Sequence, residues 1–341
     1  MTFPQDAWWI DPTTGWFRTQ IIPGLPFAWY GLMYVVAFTL TYLLFMQQVR
    51  KRRLDVNPDD VANLFFWAIV GLLVGARLFA VLIFDETRFY WRNPHRIFWP
   101  FRDGNFVGLQ GMNYYGGLLG AVAGVVIYAR RKRIDLLEWG DMITAAIPLG
   151  YTFGRIGNFI NGELYGRVTA WRVGVVFPHA DRFSADLPWV QQIAARIGLD
   201  AQAGTTVNLP RHPTQLYEAV AEGIVAWAIL WFLKDRKPFK GFIIAMYVFT
   251  YGLFRFVIDY FRMPLGTDYW LTLGGADIPP YRLLTAWNFI PSQFWSFLMT
   301  VAGLFLAWAF WKWSKRPQVQ PAAHGATPQD LRRARRKIKR T

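Results

Sequence analysis

The sequence predicts an all-α polytopic membrane protein with about seven transmembrane helices and a small head domain outside the bilayer. Three observations carry this expectation: a composition poor in charge, seven apolar stretches near spanning length, and basic clusters at alternate helix ends. Hydrophobic residues make up 54% of the 341 and charged residues only 17%, against about a quarter charged in a soluble domain. Aromatics reach 18%, with 18 tryptophans, and tryptophan and tyrosine gather where a bilayer meets water.

A helix needs ~20 apolar residues to cross the hydrocarbon. Residues 27–46 supply twenty without a charge, and further candidates are 62–84, 112–129, 142–160, 217–233, 241–261 and 289–311. Stretch 112–129 is short and rich in glycine, which makes it the weakest of the seven. Orientation follows from the loops. Arg50, Lys51, Arg52 and Arg53 follow the first stretch, Arg130, Arg131, Lys132 and Arg133 the third, and Lys234, Arg236, Lys237 and Lys240 the fifth. Positive residues beside helix ends mark the cytoplasmic face, so the N-terminus is expected outside and the C-terminus inside. No basic segment leads directly into an apolar run within the first 26 residues, so no cleaved signal peptide is expected. The expected organisation is a membrane domain over 1–315, its head at about 161–215 with a strand at 173–177 and a surface helix at 189–197, and a disordered basic tail over 316–341.

The formal net charge is +15, and residues 312–341 hold ten Lys/Arg against one acidic residue. A basic tail beside an anionic inner leaflet explains this charge, and a nucleic-acid partner is not expected. The absence of cysteine excludes disulfides, thiolate metal sites and a cysteine nucleophile; any thiol in the chemistry must come from a partner. No His/Asp/Glu spacing suggests a metal site and no glycine-rich loop after a strand suggests a nucleotide, so no cofactor is expected.

Ionisable residues inside spans are costly and by default suggest function. This chain places Arg77, Arg155, Glu218, Glu222, Arg255 and Asp259 there. Tyr251, Arg255 and Asp259 stand at i, i+4 and i+8 and share one helix face, which Arg262 continues; Gln215, Glu218 and Glu222 share another. Arg155 and Asn158 are one turn apart, with Asn161 and Glu163 following in a glycine-rich turn. Each group reads either as an internal salt bridge or as a site. The salt-bridge reading suits Arg77 best, and the functional one suits Arg155. Arginine's planar fork matches phosphate oxygens, so two arginines on separate helices at one leaflet point to an anionic phospholipid headgroup. Gly116 and Gly117 permit close helix packing or close approach of a ligand, and His212 before Pro213 reads as a turn or as chemistry.

The residues 154–167, GRIGNFINGELYGR, closely resemble the signature of bacterial prolipoprotein diacylglyceryl transferases. So do WYGLMY at 29–34, RHPTQLYE at 211–218 and YGLFR at 251–255, in the family's order. The resemblance covers roughly residues 29 to 311. It implies a seven-helix enzyme of the bacterial inner membrane with a periplasmic head. Such enzymes transfer diacylglyceryl from phosphatidylglycerol to the lipobox cysteine thiol of preprolipoproteins, the first step of lipoprotein maturation, and release glycerol phosphate. It further implies that Arg155 and Asn158 contact phosphatidylglycerol, with Asn161, Glu163, Gly116 and Gly117 beside it. Arg255, Tyr30, Tyr251 and Asp259 match the family's catalytic positions. Two positions depart from the pattern. The family's histidine before the Gly-Gly pair is Tyr115 here, for which a lipid-orienting role is expected, and the acid after the second arginine, often Glu, is Asp259.

Overall fold

The computed structural model describes residues 29–54, 56–83, 89–99, 101–102, 105–106, 111–263, 271–272 and 288–315. The tail expected over 316–341 and the first 28 residues lie outside them. Within them the chain is mostly helical. The long helices are α1 (Trp29–Lys51), α2 (Pro58–Ile83), α4 (Tyr114–Lys132), α6 (Ile147–Asn161), α10 (Phe242–Ile258) and α11 (Pro291–Ser314). Shorter ones are α3 (Phe89–Arg92), α5 (Leu136–Thr144), α7 (Pro188–Ile197), α8 (Thr214–Glu218) and α9 (Ala226–Leu233). A π-helical segment, Ala219–Val225, joins α8 to α9 without a break. Three two-stranded antiparallel ribbons complete the described secondary structure.

Four described segments are long and apolar enough to cross a membrane: Gly31–Lys51, Pro58–Ile83, Thr214–Leu233 and Pro291–Ser314. Helix α10 is apolar but shorter; its 17 residues span about 25 Å at 1.5 Å each. Large apolar side chains stand exposed along these helices, including Val35 at 62%, Phe232 at 61% and Phe305 at 61%. A surface so apolar is suited to lipid and not to water. The stretch expected as one helix over 142–160 is instead two, α5 and α6. Residues 145 and 146 turn between them, and Pro148 stands in the first turn of α6, where its missing N–H costs nothing.

The helices pack in pairs: α1 on α6, α2 on α4, and α10 on α11. The α2–α4 seam is built on glycine. A Cβ at Gly120 would collide with the Gly71 carbonyl, and one at Gly116 with the Gly75 carbonyl and Phe79. Only glycine lets backbones approach so closely.

One end of the bundle gathers the three basic loops. Lys51 bonds Asp235 at 2.9 Å, Arg52 bonds Glu138 at 2.7 Å, Lys237 bonds Glu138 at 2.8 Å and Asp141 at 3.0 Å, and Lys240 bonds Asp135 at 2.6 Å. The carboxylate of Asp141, on α5, is buried and accepts from the backbone N–H groups of Gly241, Ile243 and Ile244 at 2.9, 3.0 and 3.1 Å. Gly241 has no side chain with which to cap α10, so Asp141 caps that helix from its neighbour.

Residues 161–215 form a compact unit with its own core of Val168, Phe183, Val190, Ile193, Ile197 and Leu209. Helix α7 falls where a surface helix is expected and carries that core on one face. The strand expected at 173–177 does not form; Val175 makes a single bridge to Arg211. Ribbon β3 (Phe183–Ser184) with β4 (Thr206–Val207) occurs instead.

Candidate functional site

The unit's polar face begins on α6. Tyr151, Arg155 and Asn158 follow one another at i, i+4 and i+7, so one helical face carries all three. Arg155 donates through Nε to the Tyr151 hydroxyl at 2.6 Å, and through Nη1 to Asn158 Oδ1 at 3.4 Å. Helix α6 then stops at Gly162, whose φ of 67° is the left-handed cap that glycine adopts freely. The turn returns Glu163 against the helix it has just left. Its carboxylate accepts from Asn158 Nδ2 at 2.8 Å and Asn161 Nδ2 at 3.4 Å. Gln215 Nε2 donates to the Glu163 carbonyl at 2.6 Å, tying this turn to α8.

Glu218, at the end of α8, is fully buried and meets three guanidinium groups. Arg155 Nε lies 2.8 Å from Oε2, Arg255 Nη1 2.7 Å from Oε1, and Arg262 Nη1 3.1 Å from Oε1. A carboxylate in a low-dielectric interior is costly unless charge and hydrogen bonds compensate it; Arg255 and Arg262 donate hydrogen bonds to Oε1, and Arg155 supplies charge beside Oε2. Glu222, one turn on in the π segment, accepts a short hydrogen bond from Tyr151 Oη, and its other oxygen lies 3.8 Å from Arg255 Nη1. Asp259, at the C-terminus of α10, pairs with Arg255 Nε at 3.2 Å and accepts from Ser296 Oγ on α11 at 3.3 Å. The side chains of Arg155, Arg255 and Arg262 remain 14%, 15% and 11% exposed, whereas Glu218, Glu222 and Asp259 are sealed. The cluster therefore turns its cationic edge outward and buries its anions behind.

The π segment has a local cause. Gly223 meets Thr152 so closely that any Cβ would strike its hydroxyl. The Thr152 hydroxyl donates to the Ala219 carbonyl at 3.3 Å. Such π turns recur at functional sites; this one holds Glu222 against Tyr151.

The sequence's candidates are distributed unequally. Arg155, Asn158, Asn161, Glu163, Arg255 and Asp259 belong to one connected network. Tyr251 is on α10, its ring 6.1 Å from that of Tyr151. Tyr30 lies in the first turn of α1, and its side chain is outside the described residues. Tyr115, Gly116 and Gly117 are on α4, whose pairing partner is α2. Asn113 caps that helix by accepting from the backbone of Tyr115 and Gly116 at 2.9 and 3.2 Å. Tyr115 is 66% exposed, while Gly116 and Gly117 are buried against α2; helix packing accounts for the size of Gly116, whereas a Cβ at Gly117 would meet only ordinary contacts. Arg77 is buried, donates to the Ile97 carbonyl at 2.5 Å and lies over the Tyr90 ring at 4.8 Å, as a structural arginine would. Glu163 reaches Arg155 only through Asn158, and the carboxylate joining the arginines is Glu218.

His212 packs edge-on to Trp171 and Phe261, with Nδ1 3.1 Å from the Tyr217 hydroxyl. Burial, and then the charge of Arg167, push its pKa down to about 4. It is neutral at physiological pH, and its backbone bonds Gly166 and Arg167, so it braces the signature loop. Tyr151 and Arg262 were the least visible members in the sequence. The available signal for Tyr151 was its spacing, one turn before Arg155.

Apolar spanning helices around a sealed cluster of arginines and carboxylates, open along its cationic edge, define a polytopic membrane protein that handles an anionic ligand. The chain belongs to the prolipoprotein diacylglyceryl transferase family, whose sequence model matches residues 18–309. It is 44% identical over 326 residues to the phosphatidylglycerol–prolipoprotein diacylglyceryl transferase of Treponema pallidum, covering 90% of this chain and 97% of that one. The enzyme of the same name from Treponema denticola is 44% identical, covering 85% of this chain and 91% of that one. That of Chlorobaculum tepidum is 35% identical, covering 88% and 94%.

Proposed function

We propose that this chain is a phosphatidylglycerol–prolipoprotein diacylglyceryl transferase acting at the outer face of the bacterial inner membrane. The observation that carries the reading is the meeting of Arg155, Arg255 and Arg262 on Glu218, within a chain whose relatives bear that name over most of its length.

The thiol of a preprolipoprotein's lipobox cysteine attacks the glycerol carbon of phosphatidylglycerol that bears the phosphate. A carbon–sulfur bond forms, the carbon–oxygen bond breaks, and glycerol phosphate leaves. Negative charge grows on the departing phosphate, so fixed guanidinium groups stabilise the transition state more than the bound lipid. Arg155, oriented by Asn158, holds the headgroup; Arg255, held by Glu218 and Asp259, faces the reacting phosphate. Tyr251, edge-on to Tyr151, and Asn161, bonded to Glu163, stand beside these arginines, and the family resemblance assigns Tyr30 to the reaction as well. Tyr115 orients the lipid from α4, where Gly116 and Gly117 let that helix come close. A phenol can donate a hydrogen bond to a phosphate or ester oxygen.

Seven crossings are the reading that accommodates the three basic loops at one end under the positive-inside rule. The 161–215 unit is then a periplasmic head, the N-terminus is periplasmic, and the tail from 316 lies cytoplasmic against anionic lipid. The test is turnover of a lipobox peptide by purified protein in vesicles with and without phosphatidylglycerol, together with complementation of a transferase-depleted strain. Phosphatidylglycerol-dependent thioether formation is the expected result. Its absence, with folded protein, would overturn the reading.

A further inference from the structure

The reaction leaves a proton to be placed, and the position where the family carries a histidine is Tyr115, a phenol. On the proposed function, we infer that Tyr151 and Glu222 together accept the proton of the attacking thiol. The geometry points to this pair. The Tyr151 oxygen stands between two groups, accepting from Arg155 Nε at 2.6 Å while donating to Glu222. Arg155 is the arginine assigned to the lipid headgroup and Arg255 faces the reacting phosphate; both meet on Glu218, so a thiol attacking the carbon next to that phosphate arrives beside both guanidinium groups. Tyr151 is only half-buried, whereas Glu222 behind it is sealed. Glu222 has one carboxylate oxygen on Tyr151, and the other is buried without a hydrogen bond. A buried acceptor reached through one hydroxyl is the layout of a two-step proton hand-off.

The step balances. The thiol proton passes to Tyr151 Oη as the phenolic proton passes to Glu222, so the phenol never carries a full negative charge. The sulfur lone pair makes the bond to carbon, and the carbon–oxygen pair leaves on the phosphate. The proton then returns through the same hydroxyl to the departing glycerol phosphate. The charged and titratable groups around Glu222 fit this traffic. Arg155 and Tyr151 face it from α6, Glu218 from α8, and Arg255 and Tyr251 from α10. Tyr251 packs edge-on to the Tyr151 ring and keeps the hydroxyl aimed. The π segment serves the same end, because a regular turn in its place would rotate Glu222 off this line.

The experiment compares wild type, Tyr151→Phe, Glu222→Gln and Glu222→Asp in phosphatidylglycerol vesicles, with a lipobox peptide carrying cysteine and a second carrying selenocysteine. A selenol is already ionised at neutral pH and needs no base. With the cysteine peptide, Tyr151→Phe and Glu222→Gln are expected to lose roughly 100-fold or more in kcat, the scale of a general base, at nearly unchanged KM for phosphatidylglycerol. Glu222→Asp should recover most of the rate. With the selenocysteine peptide, the two impaired variants should approach wild type, which also shows that they are folded. An equal loss with both peptides would overturn the inference, and so would cysteine turnover within a few-fold of wild type. No turnover of either peptide by wild type would instead overturn the proposed function on which the inference rests.

Discussion

Arg155 shows why residue type matters more than charge. Its Nε donates to Tyr151 and lies beside the Glu218 carboxylate, and Nη1 reaches Asn158, so a planar, forked group is fixed by two hydrogen bonds and one ion pair. Lysine supplies one point charge and cannot make this arrangement. Arg155→Lys is expected to lose nearly as much turnover as Arg155→Ala, about 100-fold or more in kcat on the scale of a lost charge-stabilising donor. Near-normal turnover at normal protein levels would remove the residue from that role. Asp259 acts through Arg255, which it pairs at 3.2 Å. Asp259→Ala should lower kcat by misplacing the guanidinium, and Asp259→Glu should restore it; full activity of the Ala variant would leave Asp259 without a supporting role. Tyr115 stands exposed at the start of α4. If it orients lipid by one hydrogen bond, Tyr115→Phe should cost on the order of 1 kcal/mol in transition-state binding and keep measurable turnover. A Phe variant as inactive as Arg155→Ala, with an active Tyr115→His whose pH profile shifts to acid, would instead assign proton transfer to this position.

Helices in this molecule are positioned by devices that act between elements. Helix α10 carries Tyr251 and Arg255, yet its own N-cap, Gly241, contributes no side chain. The first turn is held by Asp141 from α5, which also bonds Lys237. Removing a cap costs about 0.5–2 kcal/mol, and stranding the buried partners of an ion pair costs more. Asp141→Ala should therefore lower the thermal midpoint in detergent by several degrees and weaken activity in parallel, although residue 141 lies at the far end of α10 from Arg255. Asp141→Asn retains a carbonyl acceptor and should fall between. An unchanged midpoint for the Ala variant would show that α10 is seated by packing on α11 alone. The glycine seam between α2 and α4 works by the same logic with no polar group at all: Gly71, Gly75, Gly116 and Gly120 let two backbones touch. Dispersion packing carries helix association where lipid removes the hydrophobic drive.

Across the whole molecule, charge is sorted by end. The loops after α1, α4 and α9 gather in one ion-paired layer with Asp135, Glu138 and Asp141. Within that layer the hydrogen bonds from Lys234 and Lys51 hold the pKa of the Asp235 carboxyl down to about 2, so Asp235 stays ionised at every physiological pH. The arginine cluster belongs instead to the C-terminal ends of α6 and α10, next to the 161–215 unit. Reporter fusions after Arg53, Arg133 and Lys237 should report cytoplasm, and a fusion within 185–204 should report periplasm. A cytoplasmic signal from 185–204 would overturn the seven-span reading and detach the signature loop from the outer leaflet.

The sequence by itself determined the membrane class, the expected orientation and the family. These depend on local quantities: apolar run length, the position of lysine and arginine beside helix ends, and the contiguous signature at 154–167. It also placed Tyr251, Arg255 and Asp259 on one face, because helical periodicity is local. Only the tertiary structure decided that Glu218 is the meeting point of three arginines, that Glu163 acts through Asn158, and that Tyr151 links Arg155 to Glu222. The relations through Glu218 and Glu222 join α6, the continuous stretch of α8 and the π segment, and α10, which lie far apart along the chain. No spacing rule fixes the rotation of one helix against another. That rotation follows from packing details such as Gly223 against Thr152 and from the cost of leaving a buried carboxylate without a cation, which a helix resolves only when its neighbours are in place.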